Sequence, residues 1–227
     1  MTTPAPRIAL IHATALSVEP IQSAFVRHWP QAQRMNLLDD SLSVDLAQAG
    51  RLTAQMVQRF IDLATYSLRA QCQGILFTCS AFGPAIEAAG AAVGLPTLKP
   101  NEAMFSDALA LATGASVRLG LVATFAPSIP SMSTELLDLA TARGVQVELQ
   151  TEFVPEAMQD LAQGRAGEHH RKIASAARKL AGCDVVMLAQ FSMAAALPAA
   201  QAEIACPVLS SPDCAVLALK QKVADAL

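Results

Sequence analysis

The chain has 227 residues, of which 53% are apolar and 15% charged, and a net charge of −3. That size and composition predict a well-buried core, in one large domain or two small ones, and argue against disorder. There is no basic footprint for nucleic acid, and no apolar run approaches the ~20 residues that a membrane span needs.

The opening segment MTTPAPRIALIHAT carries no basic stretch followed by a signal-type apolar run and cleavage site. Five cysteines without a CxxC pair fit reduced thiols better than a disulfide framework. The expected compartment is therefore the cytoplasm.

Strand-like and helix-like runs alternate along the chain. Ile8–His12 is a short apolar run that reads as a strand, and Ser17 can cap a helix running to Trp29, with Pro20 tolerated in its first turn. Met35–Leu38 reads as a strand, and the polar stretch 39–50 as a loop. From Arg51 to Ala70 the residues Leu52, Met56, Phe60 and Ala64 share one helical stripe. Gly74–Cys79 reads as a buried strand and Pro84–Gly94 as a helix with Gly94 as its stop. The pattern restarts after Gly114. Strand Arg118–Ala123, helix Ser131–Arg143 and strand Val145–Leu149 come first, then helices at 155–163 and 168–181. Strand Asp184–Gln190, a short strand at Pro207–Leu209 and a helix from Pro212 complete the chain. Strands alternating with helices of this length imply βαβ units and parallel sheets.

The two halves resemble one another. Ile8–Thr14 overlies Arg118–Thr124 with a shift of 110, and a shift of 111 sets Cys79 on Gln190 and Pro96 on Pro207. Ligands of open parallel α/β sheets bind beyond the carboxyl ends of the strands. Thr14, Cys79, Thr124 and Gln190 all fall at such ends, and two copies facing each other would enclose one cleft.

Cys79 is the leading candidate for chemistry. A cysteine in a strand is usually a small hydrophobe, but this one closes the strand, ahead of Ser80 and a helix start near Pro84. Helix-terminus N–H donors there predict a thiol titrating below the ~8.5 of a free cysteine. Cys72, Cys183 and Cys206 lie at strand starts and read as inert, and Cys214 lies just past a strand end. His12 closes the first strand, either as an acid/base or as a satisfied, half-buried histidine. His169 and His170 are adjacent and do not share a helix face, so they do not read as a metal pair. No other spacing suggests a metal, and no GxGxxG or P-loop implies a nucleotide. No cofactor is expected. Asp39, Asp40 and Asp45 read as a solvated loop.

The segments RIALIHAT, FTCSAFGPAIEAAG, VATFAPSIPSM and VVMLAQFSMAAALP followed by PVLSSPDCAVLAL resemble the Asp/Glu/hydantoin racemase superfamily, in order and spacing, over nearly the whole chain. The resemblance implies an α/β fold of two similar Rossmann-like halves, each a mainly parallel sheet flanked by helices, related by a pseudo-twofold with the active site between them. The expected division is 1–102 with 208–227, and 103–207. The resemblance also implies a cofactor-independent racemase or isomerase of amino acids or related carboxylates. Such an enzyme uses one cysteine per half, on opposite faces of the carbon next to a carboxylate.

Carried onto this chain, the first cysteine is Cys79 and the second position is Gln190. Ser80, Thr124 and Ser192 are implied carboxylate holders, with Thr14 and His12 nearby. A glutamine amide does not titrate near neutral pH, so proton transfer from two faces is not expected. The alternatives are a single-cysteine decarboxylase similar to arylmalonate decarboxylase, and a carboxylate-binding protein without catalysis. The expected partner is a small carboxylate, and a homo-oligomer is left open.

Overall fold

A computed structural model describes residues 5–111 and 116–226; the restart after Gly114 lies outside the described residues. In chain order the elements begin with β1 (Arg7–His12), a 3₁₀ turn (Ala15–Ser17), α1 (Val18–His28), β2 (Gln33–Leu38), α2 (Ser41–Ala49) and α3 (Ala54–Arg69). Next come β3 (Gly74–Phe77), α4 (Gly83–Val93), β4 (Thr97–Leu98), α5 (Glu102–Leu111), β5 (Ser116–Ala123), α6 (Ser128–Ala142) and β6 (Gln146–Phe153). The last are α7 (Ala157–Ala162), α8 (Ala166–Lys179), β7 (Val185–Leu188), a second 3₁₀ turn (Phe191–Ala196), α9 (Leu197–Gln201), β8 (Val208–Ser210) and α10 (Ser211–Asp225).

These elements form two four-stranded, wholly parallel sheets, ordered β2-β1-β3-β4 and β6-β5-β7-β8. The chain is thus an α/β protein of two similar halves. The described residues of 1–100 and 212–227 make one compact unit and those of 101–211 the other. The expected boundary at 207/208 is corrected by strand pairing. Val208 pairs with Val186, so β8 completes the second sheet and the return to the first unit begins after it.

The central strands are near-continuous apolar runs because both faces are covered: β3 and β7 are buried throughout, and β1 after its first residue. Edge strand β6 mixes exposed and half-buried residues instead. In the first unit, Phe60 of α3 stacks on Phe77 of β3 with ring centroids 5.2 Å apart and tilts against Phe82 at 4.9 Å. Each such pair adds about 0.5–1.5 kcal/mol beyond area burial, and together they fix the backbone on both sides of Cys79. A Cβ at Gly74 would lie 2.7 Å from Val223, so that glycine lets α10 pack against the start of β3.

The stretch 39–50 is not a loop. Leu42 and Leu46, one helical turn apart, are buried on α2, and Gly50 ends the helix in the left-handed conformation at φ 65°.

The duplication has one register, not two. Ile8 pairs with Gly74 and Leu119 with Val185, a shift of 111 on both strands. The hydrogen bonds follow it: Gln73 N–H to the Arg7 carbonyl and Asp184 N–H to Arg118, then Ile75 to Pro96 and Val186 to Pro207. Ala13 is therefore the counterpart of Thr124 and Thr14 that of Phe125, which corrects the shift of 110 that aligned the two threonines.

Candidate active site

In the first unit, β1 and β3 deliver His12, Ala13, Thr78 and Cys79 to one sheet edge. The Thr78 N–H donates to the Ile11 carbonyl at 2.9 Å, carrying the ladder one residue past β3. The Cys79 thiol lies 8% exposed and points back toward the same carbonyl, with Sγ 3.8 Å from it. Burial pushes the thiol up to about 12, against the opposing pull of the Ala13 N–H and of the Thr78 hydroxyl and N–H; the Asp39 carboxylate pushes it further up. This runs against the expected low-pKa thiolate: desolvation is the largest cause and outweighs the lowering contacts of Ala13 and Thr78. Burial thus favours the protonated thiol at Cys79.

Asp39 caps the same edge. Its N–H donates to the His12 carbonyl at 3.0 Å, and Arg59 of α3 donates to its carboxylate at 2.5 and 3.0 Å. Arg59 also reaches Asp45 at 2.6 Å, while the Ser43 hydroxyl donates to the Ala13 carbonyl at 2.7 Å. Of the acidic residues expected in a solvated loop, Asp39 and Asp45 thus strap α2 to α3, and Asp39 and Ser43 tie it to the end of β1.

His12 is fully buried, which excludes direct contact with a substrate in this arrangement. Its Nε2 lies 3.1 Å from Asn36 Oδ1 and its Nδ1 2.9 Å from Thr78 Oγ1. Asn36 Oδ1 also accepts from Gln22 at 2.9 Å, so it serves as an acceptor. Nε2 then carries the proton and Nδ1 accepts from the Thr78 hydroxyl. Burial lowers the imidazole pKa below its usual value, and the Asn36 hydrogen bond opposes this. Thr14 is half-buried, and its hydroxyl accepts from Leu16 N–H at 3.4 Å to cap the 3₁₀ turn. Ser80 follows Cys79 and remains partly exposed.

The second unit repeats this backbone with other side chains. The Ala189 N–H donates to the Val122 carbonyl at 2.9 Å, as Thr78 does to Ile11. Gln190 then takes the place of Cys79. Its Oε1 accepts from the Thr124 N–H at 2.8 Å and the Thr124 hydroxyl at 3.1 Å. Its Nε2 donates to the Ser128 hydroxyl at 2.7 Å, which passes its own proton to the Phe125 carbonyl at 2.7 Å. The backbone N–H that meets the thiol in the first unit, at Ala13, meets the amide oxygen in the second, at Thr124. Thr124 is 5% exposed with its hydroxyl given to Gln190, so the expected carboxylate holder is a support for Gln190. Ser192 is 6% exposed within the second 3₁₀ turn, and Phe191 is buried in the core.

Three contributors escaped the sequence reading: Thr78, Asn36 and Ser128. Thr78 had a signal in standing beside Cys79, whereas Asn36 and Ser128 are joined to the strand ends only by folding. Cys72 and Cys183 are buried ahead of β3 and β7, Cys206 is half-buried ahead of β8, and burial raises the pKa of all three. Cys214 lies half-buried in the first turn of α10. Among the described residues no three His, Cys, Asp or Glu side chains gather as a metal site would require.

The family model for Asp/Glu/Hydantoin racemase matches residues 11–219. The chain belongs to this family. Among curated proteins none matches the chain. Among solved structures, the fold is similar to the glutamate racemase isoform RacE1 from Bacillus anthracis, at 14% identity and a TM-score of 0.74, covering 99% of this chain and 84% of that one. It is also similar to the allantoin racemase from Klebsiella pneumoniae, at 18% identity and 0.69, covering 98% and 89%. A mutant of arylmalonate decarboxylase in its sulfate-associated form aligns at 14% identity and 0.65, covering 98% and 95%. At these identities the likeness is one of fold, and membership of the family supports a racemase-type enzyme.

Proposed function

We propose that this chain is a cofactor-independent enzyme that transfers a proton through Cys79 at the carbon next to a carboxylate. Its substrates would be amino acids or related small carboxylates. The observation that carries the reading is the paired strand end, where one register position holds a thiol in the first unit and an amide in the second. Only one of the two positions can exchange a proton.

The chemistry follows from the protonated thiol. A planar enediolate beside Cys79 takes the S–H proton on carbon, leaving a thiolate; the reverse step returns the proton to sulfur. Ser80, partly exposed beside the thiol, is the best placed of the expected carboxylate holders, and hydroxyl and N–H donors there would stabilise the enediolate oxygens. Thr124, Gln190 and Ser128 are bound to one another and supply shape on the second strand end. Thr14 follows β1 at the first strand end, and Ser192 follows Gln190 at the second.

A second reading is favoured by one observation, the high thiol pKa. Decarboxylation generates the enediolate by loss of carbon dioxide, so it asks only for a proton donor, which Cys79 already is. An arylmalonate decarboxylase among the structural neighbours agrees with this reading.

Among the described residues no helix is long and apolar enough to cross a membrane. With five free thiols, we place the protein in the reducing cytoplasm.

The test is α-proton exchange in deuterated water, followed by NMR with glutamate, aspartate and an arylmalonate. Exchange or decarboxylation by the wild type that Cys79→Ala removes is expected. Turnover that survives Cys79→Ala would overturn the assignment.

A further inference from the structure

Cys79 is 8% exposed, and a carbon acid has to reach its sulfur, so what closes that strand end has to move. Three successive carbonyls stand at the end of β1. The Ile11 carbonyl faces the thiol at 3.8 Å, the His12 carbonyl accepts from the Asp39 N–H at 3.0 Å, and the Ala13 carbonyl accepts from the Ser43 hydroxyl at 2.7 Å. The entry to α2 is thus tied to the two residues next to the thiol's own acceptor. α2 itself is lightly held. Leu42 and Leu46 are its only buried side chains, and the residues from Ala47 to Gly50 are exposed. The rest of the hold is polar: Arg59 of α3 donates to Asp39, Asp45 and Ser41, and Arg59, Asp39 and Asp45 are all partly exposed. Few buried apolar contacts and an exposed end are the marks of a segment that opens locally.

The second unit shows that the fold does not require a charged tie here. The Val154 N–H donates to the carbonyl of Ala123, the counterpart of His12, at 2.8 Å, as Asp39 does to His12. Val154 therefore holds the place of Asp39, and it is buried. With Ala157 of α7 it joins Ile173 of α8 in one apolar cluster. The ion pairs of α7, from Asp160 to Arg165 and Lys172, add to this burial rather than replace it. One unit closes the crossing with apolar side chains, and the unit that carries the thiol closes it with ion pairs. Pairs between partly exposed groups hold weakly, and water replaces them readily.

We propose that α2 is a gate over Cys79, latched shut by Arg59, and that its opening admits the carboxylate substrate to the thiol. The structure shows the closed state, in which Arg59 joins Asp39 and Asp45 while Asp39 and Ser43 hold the end of β1. Opening breaks these bonds and lifts Leu42 and Leu46 out of the core. The pivot is the segment 50–53, where Gly50 stands at φ 65° and 51–53 carry no regular helix or strand ahead of α3. Arg59 touches no reacting atom. It is a positioning residue, and its loss changes access to the thiol rather than the chemistry of the thiol.

The gate rests on Cys79 being the proton-transfer group, yet its test needs no substrate. Iodoacetamide alkylation of wild type, Arg59→Gln and Asp45→Asn is followed by peptide mass spectrometry at Cys79 and Cys72, and amide hydrogen exchange is followed on α2. Cys72 is buried in the same unit, ahead of β3 rather than after it, and reports global opening. Arg59→Gln should speed both Cys79 alkylation and α2 exchange about fivefold, the size expected for losing partly exposed ion pairs, and leave Cys72 unchanged. Asp45→Asn removes one tie and should give a smaller gain of the same sign. Electrostatics alone predicts the reverse for Arg59→Gln, because Asp39 without its cation pushes the thiol further up and slows alkylation. Equal acceleration at Cys72, or failure of Cys79 and α2 to speed together, would overturn the gate. If the gate fails while exchange still depends on Cys79, the functional reading stands without it. If the gate holds while no carboxylate exchanges, it is the functional reading that falls.

Discussion

The carboxyl ends of β3 and β7 share one backbone and differ in chemistry. Both extend their ladder by one N–H bond, and both meet an amide N–H from the turn after the neighbouring strand. On β3 that amide faces the Cys79 thiol, backed by Thr78 and His12. On β7 it faces the Gln190 carboxamide, held by Thr124 and Ser128 and backed by alanines. Under the proposed function the first end moves a proton and the second stays put. A duplicated fold can keep its geometry through backbone bonds alone while its two copies diverge in function.

The largest effect that could break this comparison is on turnover. Cys79→Ser should lower proton exchange by about 10²–10⁴-fold, the usual range for losing a positioned acid or base, whereas Gln190→Asn should cost far less in the same assay. Comparable losses from both would mean that the β7 end is also reactive.

Buried histidines extend the contrast. His12 has partners for both ring nitrogens, whereas His169 on α8 is fully buried with neither nitrogen hydrogen-bonded, and burial is the first cause that lowers its pKa to about 4. Its folded pKa lies below the unfolded value of 6.5. Its contribution is therefore full above pH 6.5 and is lost as pH falls toward 4, by at most about 3 kcal/mol. Urea unfolding of wild type and His169→Phe at pH 7 and pH 4.5 checks this; the variant should lose less stability between the two.

Next in size is the anchoring of Gln190. Gln190→Leu leaves the Thr124 N–H and the Ser128 hydroxyl without their partner, and should destabilise by about 1–3 kcal/mol in denaturant unfolding. Cys79→Ala removes only a weakly bonded sulfur and should cost less than Gln190→Leu in the same measurement. The smallest effect expected is at the strap. Arg59→Lys loses the forked contact with Asp39 and should lower global stability by under about 1 kcal/mol, while speeding amide exchange on α2.

Much of this was legible in the sequence for a physical reason. Central parallel strands are buried on both faces, so IALIH, GILF and VVML stand out as unbroken apolar runs. The stretch 39–50 misled because α2 buries only Leu42 and Leu46, while Val44 and its other residues stay largely exposed. The alanine-rich stretch that forms the second 3₁₀ turn and α9 carries no period to read. Aligning Thr14 with Thr124 set the first repeat off by one, because residue identity outweighed strand register. The position of Cys79 could be read from its strand end, but its protonation could not. That depends on desolvation by distant residues. Likewise, nothing local to Thr124 announces that Gln190, 66 residues on, takes its hydroxyl.

The central claim is that proton transfer passes through Cys79 alone. It is tested most directly by chiral analysis of the product formed in deuterated water by wild type and Gln190→Cys. The wild type should place deuterium in one enantiomer, or release one enantiomer after decarboxylation, without scrambling the centre. Gln190→Cys restores a thiol at the second family position and should introduce measurable racemisation. Efficient racemisation by the wild type would contradict the account and require a second acid or base.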